Sequence, residues 1–167
     1  MGLLSKAIET KDDLFVHTLQ DMYYAEQKIS TSLPKMIDAV GNQSLRTAFE
    51  DHLAQTEGHI RRLEQVFDLE GVDPEAVRCE AIDGILAEAD SLIDNVEDQA
   101  VLDAAIIATA QAVEHYEITR YGTLATWAGE RGRIDEAELL GATLAEEYAT
   151  DDRLTQIAKS DVNRRAA

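Results

Sequence analysis

Phe15, Leu19, Met22, Glu26, Ile29, Leu33, Met36 and Val40 recur at alternating steps of four and three. That rhythm is the inward seam of a helix packed in a bundle, and a strand cannot carry it. At its centre stands a carboxylate. Thr10, three residues before Asp13, opens the segment as a capping box would, and Gly41 is the expected C′ residue. Pro34 falls inside it, where a kink is expected.

Three more long helical segments follow. The second runs from about Ser44 to Glu70, before Gly71, with seam Phe49, Leu53, Thr56, Ile60, Leu63 and Phe67. The third runs from near Asn95 to about Gly129, with seam Ile106, Ala110, Val113, Glu117, Leu124 and Trp127 and with Arg120 also on it. The fourth runs from about Ile134 to Asn163, with seam Ala137, Leu140, Leu144, Glu147, Asp151, Leu154 and Ala158. Two prolines and nine glycines leave these stretches unpunctuated, which favours long helices over short strands.

Between the second and third segments lies "GVDPEAVRCEAIDGILAEADSLIDNVED", whose centre from Ile82 to Ile93 reads as a short amphipathic helix. A connection this long lets the third helix start at either end of the bundle, as in the ferritin-like topology, whereas a plain up-down bundle uses short turns. The fold expected is all-α: one ferritin-like four-helix bundle with a long crossover carrying a short extra helix. It takes all 167 residues as a single domain, with the core bundle over about 10–163.

Composition narrows the function. The 33 acidic residues against 15 basic give a formal charge of −18. Nucleic acid and anionic membrane both require the opposite sign, so neither is an expected partner. A high-salt cytoplasm or bound metal cations would suit such a chain. Cys79 is the only cysteine, which excludes an internal disulfide and argues against thiolate metal sites. The start "MGLLSKAIETKDD" lacks the form of a signal peptide, Gly2 followed by Lys6 is a poor myristoylation match, and no uncharged stretch approaches a membrane span. The expected location is the cytoplasm.

The seam acids carry the functional argument. Glu26, Glu117, Glu147 and Asp151 lie on inward stripes, with Glu114 one turn from Glu117. Counting from the turns brings Glu26 level with His59, and Glu114 with Glu117 level with Glu147 and Asp151. Burying one ionised carboxylate costs several kcal/mol, so burying several together would overwhelm a net stability of roughly 5–15 kcal/mol. Protonation or Arg120 could relieve one or two. A pair of metal ions would neutralise all, and facing helices with carboxylate and imidazole ligands hold iron or manganese in this way. His52, Gln55 and His59 lie along one edge of the second seam, with His59 the better candidate by level.

"VEHYEITRYGTLATWA", "AEEYATDDRL" and "DMYYAEQKI" resemble the YciF/YciE stress-protein family, a branch of the ferritin-like superfamily related in plan to rubrerythrin. The resemblance runs from about Thr10 to Asn163. It implies a helical, dimeric, cytoplasmic protein with a di-iron or related dinuclear centre, linked to stress. The usual superfamily pattern is one glutamate on each of two helices and Glu-x-x-His on the other two. Glu26 matches the first glutamate, and Glu114 and Glu117 match the third-helix acids. His59 matches a histidine, but Thr56 stands where its glutamate is expected, and relatives often carry glutamate in place of Gln55. Glu147 is followed by Thr150 instead of histidine, with Asp151 as the substitute.

Two readings follow. The first is a redox protein whose two iron or manganese ions meet peroxide or O₂, with Tyr23 or Tyr121 bonded to a ligand carboxylate. The second is a non-catalytic helical module, acting as a dimer or by docking, with a structural, partial or absent metal site.

Overall fold

The computed structural model describes residues 7–167, and the readings that fall on Met1 to Lys6 lie outside it. Its elements are α1 (Lys11–Ala39), α2 (Gln43–Glu70), α3 (Glu80–Asn95), α4 (Gln99–Glu130) and α5 (Ile134–Ile157). A π turn, Ala158–Val162, and a short α6, Asn163–Arg165, prolong α5. Among the described residues there is no strand.

Local chemistry sets the ends. Thr10 Oγ1 accepts from the Asp13 N–H at 3.0 Å while Asp13 Oδ2 accepts from the Thr10 N–H at 3.1 Å, so the capping box forms. α1 then runs through Pro34 without interruption. Asn42 caps α2 and Asp98 caps α4, so α4 begins at Gln99, and Asn95 ends α3 instead. Gly71 (φ 71°) closes α2 in the left-handed region, where a side chain is strained. Gly41 is different. Its φ is not positive; a Cβ there would lie 2.7 Å from Gln99 Cγ, so it is small to let the α4 start approach. Its N–H donates to Asp103 Oδ1 at 2.8 Å.

These contacts fix the topology. The end of α1 meets the start of α4, and Arg131 at the end of α4 meets Asp12 and Glu70 at the opposite end. α1 pairs with α2 and α4 with α5, while α1 also packs on α4 and α2 on α5. Every neighbouring pair in this square is therefore antiparallel. α3 climbs the length of the bundle against α1 and α4, which is the crossover expected.

Apolar side chains fill the two ends of the bundle. Phe15, Leu19, Leu63, Phe67 and Leu124 lie toward one end, Leu33, Leu45, Phe49 and Ile106 toward the other. Each such side chain contributes roughly 1.5–3 kcal/mol by leaving water. The polar residues sit between them.

Three seams are rotated from their expected phase. On α2 the buried stripe is Leu45, Phe49, His52, Thr56, His59, Leu63 and Val66, so Leu53 and Ile60 are flanking. On α5 it is Glu136, Leu140, Thr143, Glu147, Thr150 and Leu154, with Ala137, Leu144 and Asp151 beside it. On α4, Tyr121 and Ala128 are buried in place of Arg120 and Trp127. The Arg120 guanidinium lies 5.3 Å from the centre of the Tyr116 ring, on the flank.

Candidate metal centre

Mid-bundle, all four long helices turn donors inward. Glu26 comes from α1, His52 and His59 from α2, Glu114 and Glu117 from α4, and Glu147 from α5. None is more than 3% exposed. On α4 the spacing Glu114-x-x-Glu117 puts both carboxylates on one face, and on α2 two turns separate His52 from His59. Two sets have ligand atoms within 4.8 Å of one another: Glu26, His59 and Glu147, and His52, Glu114, Glu117 and Glu147. Glu147 belongs to both.

The His59 ring sits between acids. Its Nδ1 lies 2.9 Å from Glu147 Oε1 and 3.3 Å from Glu26 Oε1, although the angle of a hydrogen bond is met with neither. Its Nε2 is 2.8 Å from Glu146 Oε2. Burial opposes the charged ring, but the approach of Glu147 and Glu26 outweighs it and lifts His59 to about 10. His52 Nε2 is 3.3 Å from Glu114 Oε1, and burial holds that ring below the usual histidine range. Burial, and then the charge of Glu147, pushes both Glu114 and Glu117 well above the ordinary carboxylate range. Glu26 is raised as well, chiefly by burial.

Many of these atoms have no partner. Glu26 Oε2, Glu114 Oε2, both oxygens of Glu117, both of Glu147, His59 Nδ1 and both nitrogens of His52 are buried without a hydrogen bond. Folded proteins leave few such atoms, each at a cost of about 1–3 kcal/mol or more when charged. Four carboxylates and two imidazoles gathered in one buried region have the donor chemistry of a divalent or trivalent pair. The residues present fit such a group.

The other expected site residues fall outside both sets. Asp151 is half-buried beside the cluster, accepting from Gln111 Nε2 at 2.9 Å and lying 3.3 Å from His115 Nε2. The buried α5 position near it belongs to Thr150, because the seam is rotated by one residue. Gln55 is also on a flank, where its Oε1 accepts from Thr150 Oγ1 at 3.4 Å. Tyr121 donates to Glu26 Oε1, fully buried, as one of the two tyrosines was expected to do. Tyr23 does not reach a ligand carboxylate; its hydroxyl donates to Glu64 Oε1 at 2.9 Å.

Two residues went unread in the sequence. Glu146 accepts at His59 Nε2, and Arg62 holds Glu146 through two hydrogen bonds of 2.9 and 2.6 Å. Arg62, more than burial, keeps Glu146 below the usual carboxylate range. The only signal available was position: Arg62 follows His59 by three residues, one turn on, and Glu146 adjoins Glu147.

The fold and the inward donors define a class: a ferritin-like helical bundle with a buried carboxylate–imidazole cluster. The chain belongs to the family described as a domain of unknown function, DUF892, whose model matches residues 10–167. It is 44% identical over 160 residues to protein YciF of Escherichia coli (strain K12), covering 95% of this chain and 96% of that one. The crystal structure of the E. coli stress protein YciF superposes with a TM-score of 0.90 at 43% identity, over 94% of this chain and 99% of that one. YcfI of Rhodopseudomonas palustris, described as a candidate structural protein, gives 0.90 at 48% identity over 93% and 99%. The chain is thus a YciF-like member of its family, as its motifs implied. Among the described residues no helix is long and apolar enough to cross a membrane.

Proposed function

We propose that the buried cluster binds two metal ions, iron or manganese, and that the protein uses them as a stress-related redox protein acting on peroxide or O₂. The observation that carries this reading is the set of unpartnered, buried ligand atoms contributed by four helices. Glu26, His59 and Glu147 would hold one ion, and His52, Glu114 and Glu117, with Glu147 again in reach, would hold the other. Such a pair supplies a two-electron couple to a small oxidant.

The chain's own residues do the rest. Tyr121 donates to Glu26 and holds its carboxylate in place. Ile29, Leu33, Met36, Phe49 and Leu86 line a crevice that reaches His52 and Glu114 and offers ≈ 10 Å³. That is about the room one water molecule needs, so it suits a small oxidant and excludes a bulky organic substrate. The charge of −18 supports a cytoplasmic protein that avoids nucleic acid and membrane surfaces, and we take it to act as a homodimer.

The test is metal content after expression in iron- and manganese-replete medium, followed by peroxide consumption. The wild type is expected to hold close to two ions per chain. Glu26→Ala and Glu147→Ala are expected to lose metal severalfold with helical content unchanged. Equal metal in all three proteins would refute the site.

The same closure supports a second reading. A site with room for one small molecule also serves a non-catalytic helical module with a structural, partial or absent metal site, a reading in keeping with the description of YcfI as a candidate structural protein. A metal-loaded protein that leaves peroxide untouched would favour it.

A further inference from the structure

The two imidazoles of the cluster are held differently. His59 has a partner on the side away from the acids: Glu146 Oε2 accepts from its Nε2 at 2.8 Å. Glu146 is itself fixed, since Arg62 donates to Oε2 at 2.9 Å and to Oε1 at 2.6 Å. Arg62 also donates to Thr143 Oγ1 at 3.2 Å, which ties the clamp to α5. His52 has no clamped carboxylate behind it; Gln55 and Glu114 lie beside the ring, the latter 3.3 Å from Nε2, but neither ring nitrogen meets hydrogen-bond geometry.

This difference bears on metal binding in a definite way. A ligating histidine whose second nitrogen donates to a carboxylate is fixed in tautomer and orientation and is the more basic donor. An ion entering this half displaces the Nδ1 proton, and because the Nε2 proton stays donated to Glu146 the freed lone pair faces Glu26 and Glu147 without a change of tautomer or orientation. His52 must choose its tautomer and orientation as an ion arrives. The charge of the four acids acts on both halves, because their ligand atoms crowd one space. Preorientation of the imidazole is not shared.

Resting on the metal centre proposed above, we propose that Glu146, clamped by Arg62, is a positioning residue for His59, and that it makes the Glu26–His59–Glu147 half take up its ion before the His52–Glu114–Glu117 half.

The experiment titrates metal-free protein with Mn²⁺ alone by calorimetry. Wild type is expected to bind in two steps of unequal affinity. Glu146→Ala is expected to weaken the tighter step by about 10–100-fold and leave the other within about threefold. His52→Ala should do the reverse. Glu146→Gln, which keeps an acceptor oxygen but not the charge, should fall between wild type and Glu146→Ala. It also serves as the decisive variant should Glu146→Ala not fold, with a loss of at least about threefold in the tighter step expected there. Nitrogen-15 spectra of metal-free wild type should show a slowly exchanging proton on His59 Nε2 that these variants lose or weaken. Two equal steps in wild type overturn the proposal, as does a Glu146 variant that shifts both steps alike, neither, or only the weaker. Wild type that binds no Mn²⁺ at all sinks the metal centre itself, a separate result.

Discussion

Two clusters of carboxylates in this bundle are compensated in opposite ways, while Asp103, buried apart from both, accepts from the Gly41 N–H and from Gln99. At the end where α2 and α4 finish, Glu70 is held by Arg131 through hydrogen bonds of 2.6 and 3.0 Å, and Glu136 lies against the same group. Arg131 also pairs with Asp12 at 3.0 Å and lies 4.5 Å from the centre of the Phe15 ring, so one cation ties α1, α2 and α4 together. Mid-bundle, four carboxylates are packed more deeply, and among the described residues no arginine forms an ion pair with them; Arg62 pairs with Glu146, and Arg120 lies on the flank. The chain thus supplies its own cation where acids serve the fold. Mid-bundle its own cation is the His59 ring between Glu26 and Glu147, one positive group against four carboxylates, and the metal centre proposed above would balance the rest.

The largest stability effect expected from this contrast is at Arg131. Arg131→Met should destabilise the protein by about 3 kcal/mol, the low end for breaking a buried pair because the guanidinium keeps some contact with water. The loss should be the same with and without metal. Chemical denaturation of both forms measures it, and a loss that vanished on metal addition would erase the distinction between the two regions.

The sequence disclosed the acids more clearly than the surfaces they occupy. On α1, large apolar residues hold the phase either side of Glu26, so its inward direction was legible. On α2 the buried stripe passes through His52, Thr56 and His59, three polar residues in a row along the seam, while Leu53 and Ile60 flank it. A reading that follows hydrophobicity must rotate away from such a stripe, and it does so where the site lies. That put His52 at an edge when it is central. The same bias on α5 preferred Leu144 and Asp151 to Thr143 and Thr150.

The two apparent departures from the ferritin-like donor pattern resolve in the same terms. Thr56 and Thr150 do stand where a glutamate and a histidine are expected, and both are buried. Yet the cluster still gathers four glutamates and two histidines. α2 contributes both imidazoles and α4 two carboxylates, so the complement is kept while its distribution over the helices changes. Nothing in the spacing of one helix discloses that exchange, because it exists only once α2, α4 and α5 face one another.

A smaller effect, of opposite sign to that at Arg131, is expected mid-bundle. Both oxygens of Glu117 are buried without a partner, and burial raises its pKa well above the ordinary range. Glu117→Gln removes the ionisable carboxyl and keeps the shape. In metal-free protein near neutral pH it should raise stability by about 1–2 kcal/mol, since the folded state no longer has to hold a proton that the unfolded carboxylate releases, while a polar group of the same size stays buried. In metal-loaded protein it should lower stability, since a ligand is lost. Melting curves with and without Mn²⁺ check both signs. A variant less stable in both forms would mean that Glu117 is compensated within the fold, as Glu70 is.

The smallest effect lies back at the Arg131 end, and its sign follows from proton linkage. Burial, followed by the hydrogen bond and charge of Glu70, raises Glu136 from 4.5 to about 7, while Arg131 and Arg133 oppose the rise. Between those values the folded state holds a proton that the unfolded state has released. The contribution of Glu136 is therefore fully present below about pH 4.5 and is lost as pH rises through 7. Glu70 runs the other way: burial opposes ionisation, but Arg131 holds its pKa below the usual value, so its contribution disappears as pH falls. Glu136→Gln should thus flatten the decline between pH 5 and 7.5 and leave the acid limb, which belongs to Glu70, intact. At pH 8 the variant should exceed wild type by about 1 kcal/mol, a figure held low because solvent near Arg133 screens the site. Because this end answers to its own arginines, Mn²⁺ should not alter that difference. A gain that disappeared when metal was added would couple the two carboxylate clusters, and each could no longer be treated as compensated in its own way.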